Sequence, residues 1–243
     1  MTLFAGQVAV VTGAAGGIGT AVSLRLAAAG ATVCLVGRKP DALKAVARDA
    51  ESIGGRCLLC PADLMVPSDL ATLKVCLEHD PGRVDILIHC AGELSLGGFA
   101  EAGVDNLDRL YQINVRGAYA VTCALLPMLK KAGRGQIVFM NSSMGLRVRA
   151  GVAHYAASKH ALRALADGLR EEVNPDGVRV LSVFLGRTAS RMQADAHRAE
   201  GRRYRPENLI QPTDVASLVS HVLALPRTAE VTDIHMRPFK KVS

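Results

Sequence analysis

Tyr155 and Lys159, in the stretch His154-Tyr155-Ala156-Ala157-Ser158-Lys159, are the residues whose types and spacing best suit proton chemistry. Four positions apart on a helix they share a face, close enough for an ammonium to act on a phenol. A free tyrosine titrates near ~10, too high for acid–base work at neutral pH. A nearby fixed cation favours the phenolate and lowers that value, which is the expectation for this pair. Ser142 stands thirteen residues upstream and closes the strand-like run Gln136-Ile137-Val138-Phe139-Met140-Asn141, so a strand end and the next helix can bring a hydroxyl beside the pair. Tyr-x-x-x-Lys alone is a short pattern that also arises by chance on amphipathic helices. Its meaning depends on the elements that position it.

Those elements read as an alternating α/β chain. Of 243 residues, 49% are apolar and 4% aromatic, with no tryptophan, which favours helices packed on a sheet over an aromatic-rich β-sandwich. Strands are expected at 7–12, 31–37, 56–60, 84–90, 135–141, 178–184 and 231–235. Helices are expected at 17–29, 41–53, 67–79, 105–131, 153–173 and 213–224. Continuous apolar runs such as Val84-Asp85-Ile86-Leu87-Ile88 suit a parallel sheet covered on both faces. The fold class is therefore α/β, a single doubly wound Rossmann-type parallel sheet of about seven strands with helices on both faces. One domain is expected over residues 1–243, with an irregular segment, 186–212, as a lid over the substrate.

Several function classes are set aside. No apolar run reaches the length of a membrane span, and no signal peptide is read at the N-terminus, so a cytoplasmic protein without a membrane partner is expected. The formal charge is +7, yet the cations are scattered; the cluster Arg198, Arg202, Arg203 and Arg205 reads as a solvated helix face. No nucleic-acid partner is expected from it. The six cysteines lie in apolar segments and read as buried free thiols; Cys57-Leu58-Leu59-Cys60 has no second pair for a metal, and none is expected.

Val8-Ala9-Val10-Val11-Thr12 leads into Gly13-Ala14-Ala15-Gly16-Gly17-Ile18-Gly19 and then a helix. Glycines between a first strand and first helix allow a tight turn and backbone approach to a pyrophosphate, held on the helix N-terminus. The second strand ends at Gly37-Arg38-Lys39. Gly37 removes the carboxylate that would repel a 2′-phosphate, and Arg38 can hold one with a charge-assisted fork. NADP(H) is expected ahead of NAD(H), with NAD(H) still possible. Asp41, after Pro40, reads as a favourable acid in a first helical turn.

With the glycine turn, Ser142 and Tyr155-x-x-x-Lys159 in this order, the chain resembles the short-chain dehydrogenase/reductase family over nearly its whole length. Thr12-Gly13-x-x-x-Gly17-Ile18-Gly19 is similar to the family's cofactor turn. Asp63-Leu64 resembles the pair that meets the adenine, and Ala91-Gly92 a small pair that admits the cofactor to the backbone. Asn114 matches the family's active-site asparagine, and Gly186-Arg187-Thr188 resembles the segment lining the nicotinamide. Two positions depart from the family pattern: His89-Cys90 replaces Asn-Asn, costing a hydrogen bond that ties neighbouring strands, and Leu185-Gly186 replaces Pro-Gly, removing a rigid ring.

The resemblance implies an oxidoreductase that moves a hydride between NADP(H) and a small-molecule carbonyl or secondary alcohol. Tyr155 exchanges the proton, Lys159 lowers the tyrosine pKa and bonds the nicotinamide ribose, Ser142 binds the substrate oxygen, and Asn114 holds a water near Lys159. Ser143 is expected to point away and cap the following loop. A homodimer or homotetramer pairing helices 105–131 and 153–173 is also implied. The alternative is a catalytically silent NADP(H)-binding sensor or subunit of the same fold. The substrate is not legible: Met192, Gln193, His197 and the arginines of 187–212 define no shape, while Met144, Leu146, Val148 and Val152 offer an apolar wall or simply pack the loop.

Overall fold

A computed structural model describes residues 2–240. Seven parallel strands form one sheet in the order β3-β2-β1-β4-β5-β6-β7. They are β1 (Val8–Thr12), β2 (Thr32–Gly37), β3 (Arg56–Pro61), β4 (Ile86–His89), β5 (Gln136–Ser142), β6 (Arg179–Leu185) and β7 (Asp233–Met236). Because strand side chains alternate, Ala9, Val11, Val33 and Leu35 enter one core and Val8, Val10, Cys34 and Val36 the other. Helices α1 (Gly17–Ala28), α2 (Pro40–Ser52) and α8 (Pro212–Leu223) cover the first face. Helices α3 (Pro67–His79), α5 (Gly117–Lys131) and α6 (Ala153–Val173) cover the second. Both faces are covered, which is why the inner strands read as unbroken apolar runs.

Helix starts follow local chemistry. Pro40, Pro67 and Pro212 each open a helix, where a missing N–H costs nothing, and Asp41, Asp69 and Asp214 sit in those first turns. Asp85, inside the apolar run before β4, is fully buried. Its carboxylate accepts the Val8 N–H at 2.9 Å and a two-pronged Arg83 contact at 2.8 and 2.6 Å, so the buried charge is paired as it joins the starts of β1 and β4.

The expected element order holds, with two differences in the elements. The helix expected over 105–131 is broken: α4 (Gly103–Tyr111) runs through a π-turn, Gln112–Arg116, before α5. Segment 186–212 is not irregular throughout, since it contains α7 (Arg191–Ala199) and a short 3-10 turn, Pro206–Asn208. Of the arginine cluster only Arg198 lies on that helix; Arg202, Arg203 and Arg205 are exposed beyond its end. The six cysteines are free, but only Cys34 is fully buried, and Cys76 and Cys123 are exposed. Among the described residues no helix is long and apolar enough to cross a membrane, and no group of side chains could hold a metal ion.

Candidate active site

The strand order reverses between β1 and β4, and in such sheets the crevice lies beyond the carboxyl ends of the strands. The glycine turn is there. Gly13 has φ of +63°, and a Cβ on it would lie 2.7 Å from the Ala91 nitrogen, so the turn and the loop after β4 touch backbone to backbone. A Cβ on Gly19 would lie 2.1 Å from the Gly13 carbonyl oxygen, which keeps α1 tight against the turn. The first turn of α1 holds no acidic side chain, and its leading amides have no helical partner. A cavity at this point is lined by Gly13, Gly17, Ile18, Gly19, Arg38, Asp63, Leu64, Ala91 and Gly92. This surface fits the diphosphate and adenosine of a dinucleotide: free amides, close backbone and a cation where the second strand ends.

A second cavity holds Ser142, Tyr155, Lys159, Gly186 and Thr188, and shares Ile18, Ala91, Gly92 and Glu93 with the first. Tyr155 and Lys159 lie in the first two turns of α6; Lys159 Nζ is 6.0 Å from the Tyr155 ring centre and donates to the Met140 carbonyl of β5 at 3.1 Å. Burial lowers the Lys159 pKa to about 8. The expected depression of Tyr155 is not found. Burial raises the phenol above its ordinary value, and the neighbouring Ser142 hydroxyl acts in the opposite direction. The ammonium is turned toward Met140, and desolvation of the phenolate outweighs the effect of Ser142.

Ser142 is also the residue that caps the next turn: its Oγ accepts the Met144 N–H at 3.1 Å. That role was expected of Ser143. The strand runs through Ser142 and a 3-10 turn, Ser143–Gly145, begins at once, so strand alternation no longer governs Ser143, which lines the same cavity. Asn114 is buried in the π-turn, where its side chain is hydrogen-bonded at both its oxygen and its nitrogen. Its Oδ1 accepts the Glu93 N–H at 2.8 Å, and its Nδ2 donates to the Glu93 carbonyl at 2.9 Å and to Ser158 Oγ at 3.0 Å.

At the departures His89 and Cys90, the imidazole makes contacts of its own, although its Nδ1 finds no partner among the described residues. His89 stacks on Phe139 of the adjacent strand at 4.7 Å and its Nε2 meets Thr122 Oγ1 of α5 at 2.9 Å. Burial pushes its pKa down to about 3, so the ring is neutral. Burial pushes the Cys90 thiol up to about 12, which leaves it protonated at neutral pH. Past Leu185, the Gly186 N–H donates to the Met236 carbonyl at 2.8 Å, and Thr188 pairs with Ile210 in an isolated bridge.

Two ion-pair groups went unnoticed in the sequence. Glu93, between the two cavities, contacts Arg38 at 3.7 Å and Arg109 at 2.8 Å. Glu200, just past α7, receives Arg187 at 2.6 Å and Arg149 at 2.7 Å, and all three line the Tyr155 cavity. A charged residue directly after Ala91-Gly92 was the one available hint.

A short-chain dehydrogenase profile matches residues 7–201. An uncharacterized oxidoreductase of Staphylococcus epidermidis is 30% identical over 233 residues, 96% of this chain and 97% of its own length. A glycine betaine reductase of Emericella nidulans is 31% identical over 237 residues; these are 96% of this chain, which spans only 19% of that longer protein. The crystal structure of a metagenomic short-chain oxidoreductase in complex with NADP is 30% identical with a TM-score of 0.85, covering 98% of this chain and 100% of that one. The short-chain dehydrogenase of Shigella flexneri gives a TM-score of 0.88 at 30% identity, covering 96% of this chain and 92% of its own.

Proposed function

The chain belongs to the short-chain dehydrogenase/reductase family of NAD(P)-dependent oxidoreductases, and from that premise we propose that it transfers a hydride between NADP(H) and a carbonyl or secondary-alcohol carbon. The observation that carries this reading is the continuity of the glycine-turn cavity with the one lined by Ser142, Tyr155 and Lys159. When bound, the dinucleotide supplies the hydride chemistry. Arg38 supports the preference for a 2′-phosphate, as does the NADP found in the metagenomic relative.

The protein's own residues handle placement and the proton. Ser142 donates to the substrate oxygen and stabilises charge that develops there. Tyr155, like any tyrosine, holds its proton at neutral pH, and burial raises its pKa further, so it can donate to a carbonyl oxygen in the reduction direction. Lys159, with its pKa lowered to about 8, returns that proton from solvent and offers its ammonium to ribose hydroxyls. Asn114 fixes the loop at Glu93 that both cavities share. Segment 186–212 acts as the lid, and its apolar side chains Met192 and Ala196 shield the substrate.

The test is direct. NADPH and NADH are titrated against the protein, and a carbonyl and alcohol panel is followed at the nicotinamide absorbance. Turnover by the native protein, abolished in Tyr155→Phe while NADPH binding persists, supports the reading. Near-native turnover in Tyr155→Phe on a verified substrate overturns the mechanism. Tight NADPH binding with no turnover across a broad panel favours the silent sensor.

A further inference from the structure

We infer that Glu93 and Arg109 set how strongly the protein discriminates NADP(H) from NAD(H), by controlling whether Arg38 is free to meet a 2′-phosphate. The inference rests on the cofactor reading above and adds to it a carboxylate that opposes the phosphate and a second arginine that restrains that carboxylate.

The two oxygens of Glu93 face guanidinium groups from different elements. Oε1 lies 3.7 Å from Arg38 Nη2, at the end of β2, and Oε2 lies 2.8 Å from Arg109 Nη1, on α4. The partners differ in freedom. The Glu93 side chain is 23% exposed, and its peptide is gripped by Asn114 from both sides, whereas the arginines are 58% and 56% exposed. Arg38 and Glu93 line the same cavity as Asp63, Leu64 and the glycine turn.

Arg38 therefore has two claimants. A 2′-phosphate at Arg38 brings negative charge against the fixed Glu93 carboxylate. A ribose hydroxyl brings none, and a carboxylate accepts its proton readily. Glu93 thus works against NADPH and not against NADH. Arg109 offsets this, because its closer contact keeps Glu93 paired when Arg38 turns away. Since an exposed pair at the Arg38 distance is weak, Arg38 can exchange partners with little loss.

Dissociation constants for NADPH and NADH, measured on the full chain at low salt, test this with variants of opposite sign. Glu93→Gln should tighten NADPH by about three- to tenfold and leave NADH unchanged or weaker. Arg109→Gln should weaken NADPH by a similar factor, with NADH nearly constant. The double variant should match Glu93→Gln within about twofold, because Arg109 acts through Glu93. Glu93→Ala provides a second removal of the charge with the same expected sign, and unliganded melting temperatures report folding. If both cofactors shift together, if neither shifts, or if the Arg109 loss persists undiminished in the double variant, the inference is wrong. Failure of the native protein to bind either cofactor overturns the cofactor reading itself; normal binding with an unmoved NADPH:NADH ratio overturns this inference alone.

Discussion

Asn114 holds the peptide of Glu93 from both sides, accepting its N–H at 2.8 Å and donating to its carbonyl at 2.9 Å. A single buried amide thus fastens the π-turn between α4 and α5 to the loop where the two cavities meet. The remaining Nδ2 proton goes to Ser158, one residue before Lys159. The site's second helix and its cofactor-side loop are thereby locked to each other.

Asn114→Ala should remove all three bonds and leave the part-buried N–H and carbonyl of Glu93 unmatched, while Ser158 Oγ keeps its donation to the Tyr155 carbonyl. The expected loss is about 2–4 kcal/mol of unfolding free energy, measured by urea denaturation. Asn114→Asp keeps the acceptor but sets a buried carboxylate against the Glu93 carbonyl, so it should be destabilising as well. A loss below ~0.5 kcal/mol in the alanine variant contradicts this account.

The raised Tyr155 pKa gives the two reaction directions opposite pH profiles. Reduction needs the protonated phenol and should hold from neutral pH until Tyr155 begins to ionise. Oxidation needs the phenolate and should climb with alkaline pH. Burial is the larger cause and raises the value, so the oxidation limb should lie above the ordinary phenol range. Measuring kcat/KM in both directions across neutral and alkaline pH checks this; an oxidation rate already at its plateau at pH 7 contradicts it.

The same tyrosine marks how far spacing alone can be read. Ser142, Tyr155 and Lys159 meet because strand and helix rise are regular, so residue offsets translate into position. The Tyr155 pKa depends instead on the balance between desolvation and the Ser142 hydroxyl, while the Lys159 ammonium finds Met140, and no spacing encodes that balance. Ser142, and not Ser143, caps the turn because the strand ends one residue later than 135–141 implied. Helix α7 was missed because Arg191–Ala199 is mostly polar and lacks a helical apolar stripe of full length. Glu93 was missed for a different reason: Arg38, Arg109 and Asn114 reach it from three separate parts of the chain.

His89 predicts an acid-sensitive fold. Its folded value of about 3 lies below the ordinary imidazole value, so the unfolded chain binds the proton first as pH falls. Stability is complete above ~6.5 and is lost on descent toward 3, by about 2 kcal/mol at pH 5. His89→Asn, which installs the amide more usual in the family, removes that share of the pH dependence. It should also cost about 1 kcal/mol at pH 7 through the lost stacking on Phe139. Parallel stability curves for the two proteins between pH 7 and 5 would falsify the assignment.

Glu200 joins the chain after β6 to the loop before α6, since Arg187 and Arg149 both close on its carboxylate. Only 14% of its side chain is exposed, and the two arginines hold its pKa below the ordinary carboxylate value despite burial. Glu200→Gln leaves the guanidinium groups of Arg187, Arg149 and Arg202 clustered without that counter-charge, and their repulsion should part the segments. The exposed Arg202 and Arg203 immediately follow and supply a built-in reporter. Trypsin under native conditions should cut the variant there several-fold faster than the native protein, while the global unfolding free energy changes by only about 1–2 kcal/mol, as expected for a local opening. Equal cleavage rates would mean that the bridge between Thr188 and Ile210 holds the segment without help from Glu200.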